Sequence, residues 1–245
     1  MNKSKMTLLQ HFAEFRRRLV WILIIFAVAF GLGWFAAPFI QEFLIEPLIS
    51  VWPNGSMIYI GLTDGLMIQF YLATLFAIFI TIPFILWHIW AFVAPGLHKN
   101  EKHFIAPILV LSPVLFLIGA AFAFYILFPV VFKFFINLNQ SSPVPTAFLP
   151  NTKDYLTFSI GLLKIFGIAF QLPLFMVLLN RVGVLSKRTA LKSRRYAIVI
   201  IFIIAAVLTP PDVVSQCMLA IPLIALFELA LLFMKKEPKL ENKVV

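Results

Sequence analysis

Two acidic residues stand among basic neighbours. Glu14 precedes Arg16-Arg17-Arg18 by two positions, and Glu101 lies between Lys99 and Lys102. Each is able to pair locally with an adjacent cation. The alternative is that the two together form a receptor for cationic groups supplied from elsewhere. Arginine suits that role, because its planar guanidinium pairs bidentately with a carboxylate. Phe92 is near Glu101 in sequence, and with Trp87 and Trp90 it also fits an aromatic belt at a membrane surface. A second group is Lys164, Gln171 and Glu228, three polar side chains inside long apolar runs. Lys164 and Gln171 are seven residues apart and would share one face of a helix. A charge at the centre of a membrane costs roughly 2.5–3.5 kcal/mol on insertion scales. Such residues therefore face protein or water, as lining of a polar concavity or as interhelical hydrogen-bond partners. Lys164 is also close enough to the start of its run to snorkel outward. A third group is the turn Thr209-Pro210-Pro211-Asp212, where Asp212 is placed to stabilise the turn or cap a following helix.

The elements that position these residues follow from composition. Of 245 residues, 62% are hydrophobic and only 12% are charged, and the mean hydropathy is +1.01. A soluble domain has about 45–50% apolar and about 25% charged residues. Disorder requires low hydrophobicity and is excluded as well. The chain therefore reads as an all-α integral membrane protein. Cys217 is the single cysteine, so no internal disulfide is available, and its neighbours make it a small core residue. Six apolar runs approach the roughly 20 residues a span requires. They cover residues 19–37, 66–92, 104–132, 155–180, 196–208 and 214–234 of one membrane domain, 1–245. The first is too long for the apolar core of a cleaved signal peptide. The fifth rises only roughly 20 Å against about 30 Å of hydrocarbon, so the bilayer beside it should thin.

The formal charge of +10 resolves by side. Five basic residues precede the first span, two follow the second, six follow the fourth and four end the chain, 17 of the 20 in all. Lys133 and Lys153 fall on the other face, and Lys164 within a span. Both termini are therefore expected in the cytoplasm. The inner face sums to +13 and the outer to −3, with Lys164 and Glu228 cancelling inside the membrane. Basic charge is thus explained by topology and lipid contact, and no nucleic-acid partner is expected.

Flanking segments are structured too. Thr7-Leu8-Leu9-Gln10 fits a capping box and opens an amphipathic helix over residues 7–18 at the inner interface. From Pro38 to Ser50, including Pro47 and Leu48, apolar residues recur at helical spacing and predict a short amphipathic helix at the outer surface. The segment 137–153 reads as an ordered outer loop, and residues 235–245 as a cytoplasmic tail. No phosphate-binding glycine loop is present, and the serines and histidines suggest no nucleophile–base pair, so neither a cofactor nor an enzyme is expected. A small-solute secondary transporter with a midplane site at Lys164, Gln171 and Glu228 is the alternative, although paired repeats are weak.

Several segments resemble one family. They are His11-Phe12-Ala13-Glu14-Phe15-Arg16-Arg17-Arg18, Trp90-Ala91-Phe92-Val93-Ala94-Pro95-Gly96-Leu97, Asn100-Glu101-Lys102 and Leu208-Thr209-Pro210-Pro211-Asp212, followed by Ser215-Gln216 and Ala220-Ile221-Pro222. They are similar to TatC, the multi-spanning core of the twin-arginine protein translocase, and the likeness covers almost the whole chain. The resemblance implies a concave bundle of six helices, the last two short, with inward termini. It implies a receptor for twin-arginine signal peptides of folded cargo, driven by the proton-motive force. Glu14 and Glu101 would take the two guanidinium groups, beside Phe92 and Arg16. The polar position of the fourth span would meet the signal peptide or small single-span subunits of the TatA/TatB type, and copies of the chain would associate. The family commonly has Glu where Gln171 stands. Gln cannot ionise, although it still donates and accepts hydrogen bonds. Lys164 is a further departure.

Overall fold

The computed structural model describes residues 8–53, 55–93, 105–141, 149–209 and 213–235. It contains nine α-helices among the described residues: α1 (Leu8–Val51), α2 (Asp64–Val93), α3 (Ile105–Phe122), α4 (Phe128–Gln140), α5 (Thr152–Ala169), α6 (Leu172–Arg181), α7 (Lys187–Lys192), α8 (Arg194–Leu208) and α9 (Val213–Phe233). By length and composition, five helical stretches are able to cross a membrane: Arg16–Val51, Asp64–His88, Val110–Asn139, Thr152–Arg181 and Val213–Phe233. Their surfaces are apolar. Phe35 is 81% exposed and Leu232 75%, which suits lipid and not water. The chain is a multi-pass membrane protein.

Several expected boundaries move, each for a backbone reason. The interfacial helix 7–18, the span 19–37 and the separate outer helix 38–50 are one helix of 44 residues, with Pro38 and Pro47 inside it. A proline removes one hydrogen bond and crowds the preceding turn, but in lipid a continuous helix keeps the remaining bonds satisfied. Thr7 lies outside the described residues. The third run continues past residue 132 to Gln140, so the start of the expected loop 137–153 is helical. Between α3 and α4, Ala123–Leu127 form a π-helical turn in which the Phe128 N–H donates to the Ala123 carbonyl, five residues back. The wider turn comes just before Pro129, whose ring would clash with the carbonyl four residues earlier.

The fourth run is broken. Phe170 and Gln171 form a turn between α5 and α6, because Pro173 offers no N–H to the Ala169 carbonyl. The Gln171 N–H instead reaches the Ile168 carbonyl at 2.9 Å. Gly183, with φ +77°, then reverses the chain out of α6, and α7 is a short helix that periodicity missed. Of the two final helices only α8, at 15 residues, is short. The 21 residues of α9 rise about 31 Å, enough to cross the hydrocarbon.

The chain packs as two compact units, residues 1–113 with 147–160, and residues 114–146 with 161–245. In the first, α2 runs back along α1. The helices approach closely at Gly33, where an added Cβ would lie 2.9 Å from the Ala73 carbonyl oxygen. Leu72, Ala73 and Ala77 of α2 are fully buried, and Trp34 meets Phe70 edge to face. Gln69 Nε2 donates to the Trp34 carbonyl at 3.2 Å. The connection between the two helices is fastened to the start of α5. The Ile58 N–H donates to the Pro150 carbonyl at 3.1 Å, and the Thr152 N–H to the Ile58 carbonyl at 2.9 Å. Lys153 Nζ meets Asp64 Oδ1 at 3.1 Å, and the Tyr155 hydroxyl donates to the Leu44 carbonyl at 2.6 Å.

In the second unit, Phe122 stacks on Phe166, with ring centroids 5.7 Å apart. A further cluster joins Met176 of α6, Ala190 of α7 and Phe227, Ala230 and Leu231 of α9. The end of α9 is held by side chains. The Lys235 N–H donates to Asn180 Oδ1 at 2.7 Å, and Lys187 Nζ donates to the Met234 carbonyl at 3.2 Å.

Candidate functional site

The α1–α2 hairpin places the candidate site at its end remote from the interhelical connection. Glu14 and Arg18 are one helical turn apart on α1. Arg18 Nε donates to Glu14 Oε1 at 3.1 Å, and Nη2 donates to the same oxygen at 2.5 Å. Glu placed N-terminal to a cation at this spacing is the favourable order on a helix. Arg18 also reaches across to α2. Its Nη1 donates to His88 Nδ1 at 3.3 Å and lies 3.5 Å from the His88 carbonyl oxygen. Since guanidinium only donates, His88 Nδ1 is the acceptor.

Beside this chain of contacts lies a pocket of ≈ 720 Å³, lined by Glu14, Arg17, Arg18, Trp21, Ile25, Trp87 and His88. A carboxylate, two guanidinium groups and two indoles line one concavity, which is therefore both charged and apolar. The acid pairs with a cation, while the indole faces accept an alkyl stem or a cation stacked on the ring.

Other expected site residues are placed as follows. Arg16 is exposed on α1. Phe92 falls in the last turn of α2, while its side chain, Glu101 and Pro210-Pro211-Asp212 lie outside the described residues. Pro47 and Leu48 are buried near the end of α1, with Glu42 and Glu46 exposed. Lys164 is half-buried on α5, and Gln171 is half-buried in the turn before α6. The turn interrupts the helix that would have set them on one face. Glu228 lies on α9, and its carboxylate accepts from Arg194 Nη2 at the start of α8. Its partner is thus a cation of the neighbouring helix.

Sequence reading did not assign Arg18, Trp21 and His88 to a site. The spacing of Glu14 and Arg18 was available as a signal. Nothing local announces that residue 88 returns to residue 18, because that depends on the register of the hairpin.

Comparison with known proteins agrees with this architecture. Residues 10–222 match the family model described as Sec-independent protein translocase protein (TatC). A TatC protein of Haemophilus influenzae is 38% identical over 240 residues, covering 97% of this chain and 93% of the relative. One of Halothiobacillus neapolitanus is 43% identical over 231 residues, covering 91% of this chain, which spans 60% of that relative's length. A crystal structure of the twin-arginine translocase receptor TatC superposes with a TM-score of 0.82 at 33% identity, covering 91% of this chain and 97% of that one. A second, in DDM, gives 0.84 over 92% and 99%. Matched over nearly its whole length in both sequence and fold, the chain belongs to the TatC family of Sec-independent protein translocase proteins.

Proposed function

We propose that this chain is the signal-peptide receptor and multi-pass core of a twin-arginine translocase, exporting folded proteins with energy from the proton-motive force. The observation that carries the reading is the Glu14 carboxylate. It already holds a guanidinium, beside a pocket walled by Trp21 and Trp87, in a chain of the TatC family. Glu14 and Glu101 each bind one arginine of the signal, with Phe92 and Arg16 beside them. The distribution of basic residues supports a cytoplasmic position for this site and both termini. In this reading α8 counts as a sixth, short span, and the thinned bilayer beside it eases the passage of folded cargo. Gln171 and Lys164 meet the inserted signal or the helices of TatA/TatB-type subunits, with Glu228 held by Arg194 at the neighbouring helix pair. Receptor and conduit are the whole role, with no catalytic step.

The test is binding of a fluorescent twin-arginine signal peptide to the purified chain in lipid nanodiscs. Twin-lysine peptide should bind at least tenfold more weakly, and Glu14→Ala and Glu101→Ala should each weaken the arginine peptide similarly. Binding untouched by both substitutions would remove the receptor assignment.

A further inference from the structure

The Glu14 carboxylate is not vacant. We infer that Arg18 is its resident occupant, that a signal arginine binds by exchange with it, and that His88 receives the displaced guanidinium. The inference rests on the receptor reading above and adds how the site discriminates.

Three observations carry it. Arg18 places two donors, Nε and Nη2, on the same carboxylate oxygen, at 3.1 and 2.5 Å. It already touches a second acceptor set on α2, His88 Nδ1 at 3.3 Å and the His88 carbonyl oxygen at 3.5 Å. Both sets border one pocket, which Arg17 also lines. Arg18 therefore has a place to go that costs it only part of its hydrogen bonding. A third cation entering while Arg18 stays on Glu14 would be crowded against Arg17 and Arg18 at the same carboxylate. Exchange avoids that repulsion, since Arg18 withdraws towards α2 as the newcomer takes Glu14.

The resident sets a threshold on chemistry. A guanidinium offers the carboxylate a planar fork, and so replaces two hydrogen bonds with two. A lysine ammonium is a point charge that matches one direction at a time, so it displaces Arg18 at a loss. Arg18 is thus a specificity-determining residue. It raises the requirement for every ligand, and raises it further for lysine than for arginine.

Dissociation constants of twin-arginine and twin-lysine peptides are measured on the full chain in nanodiscs, for the parent protein, Arg18→Gln, Arg18→Lys and Glu14→Gln. Removing the competitor should tighten twin-arginine binding on the order of fivefold. It should tighten twin-lysine binding more, so that the ratio between the two peptides narrows. Arg18→Lys, which keeps the charge but loses the fork, should fall between the parent and Arg18→Gln. Weaker twin-arginine binding by Arg18→Gln, or an unchanged arginine-to-lysine ratio in both Arg18 variants, overturns the exchange while leaving Glu14 as receptor. Undiminished binding by Glu14→Gln overturns the receptor reading and the exchange with it, and is recognisable as a separate result.

Discussion

Two Arg–Glu pairs among the described residues differ in their surroundings. Arg18 and Glu14 lie on one helix, with side chains 23% and 31% exposed, and the arginine continues to His88 on α2. Arg194 and Glu228 lie on α8 and α9, with side chains 50% and 36% exposed. The first pair borders a pocket that has indole walls. The second joins a short helix to its neighbour. The same chemistry is proposed to do two jobs. Where the carboxylate and guanidinium face a concavity, the exchange proposed above puts an incoming group in place of one of them. Where they face each other across a helix contact, they fix helix position.

The contrast breaks or sharpens in four experiments. The largest effect belongs to Glu14→Ala, expected to weaken a twin-arginine peptide at least tenfold, against a much smaller effect of Glu228→Ala in the same titration. Equal losses would erase the distinction. Next is the reversed pair Glu14→Arg with Arg18→Glu. It keeps an ion pair at the same spacing, so the chain should keep most of its thermal stability in detergent. Peptide binding should stay several-fold down, because the pocket now presents its carboxylate one turn away. Third is the reversed pair Arg194→Glu with Glu228→Arg. Glu228→Arg alone sets two cations together and should lower stability by about 1 kcal/mol, and the double change should restore most of that. The smallest effect is that of salt. Raising ionic strength from 0.1 to 1 M should shrink the coupling of the more exposed Arg194–Glu228 pair by a few tenths of a kcal/mol, and that of Glu14 with Arg18 by less. Double-mutant cycles read both couplings.

How much of this was legible beforehand depends on range. Apolar length located every long helix, because a span has to satisfy its backbone internally. The irregularities were not legible. The π-helical turn before Pro129 and the broken turn before Pro173 have the same cause, yet one chain widens and the other separates into α5 and α6. Proline predicts a local fault, and the surrounding packing decides its form. Pro38 and Pro47 sit inside α1 without ending it. For the site, the odd sign of Glu14 in a basic stretch was enough to single it out. Its occupancy by Arg18 follows from helical spacing alone, whereas His88 enters only through the antiparallel register of α1 and α2.

The length of α1 has a mechanical consequence. Forty-four residues make a rod of about 66 Å, longer than the roughly 40–45 Å of a bilayer with its headgroups. Thirty residues, about 45 Å, separate Glu14 from Leu44, whose carbonyl holds the Tyr155 hydroxyl at 2.6 Å. Such a rod is a lever. A five-degree change of tilt shifts one end relative to the other by about 4 Å, more than a hydrogen bond tolerates. A change in the tilt of α1 at Glu14 is therefore also a displacement at the Tyr155 contact.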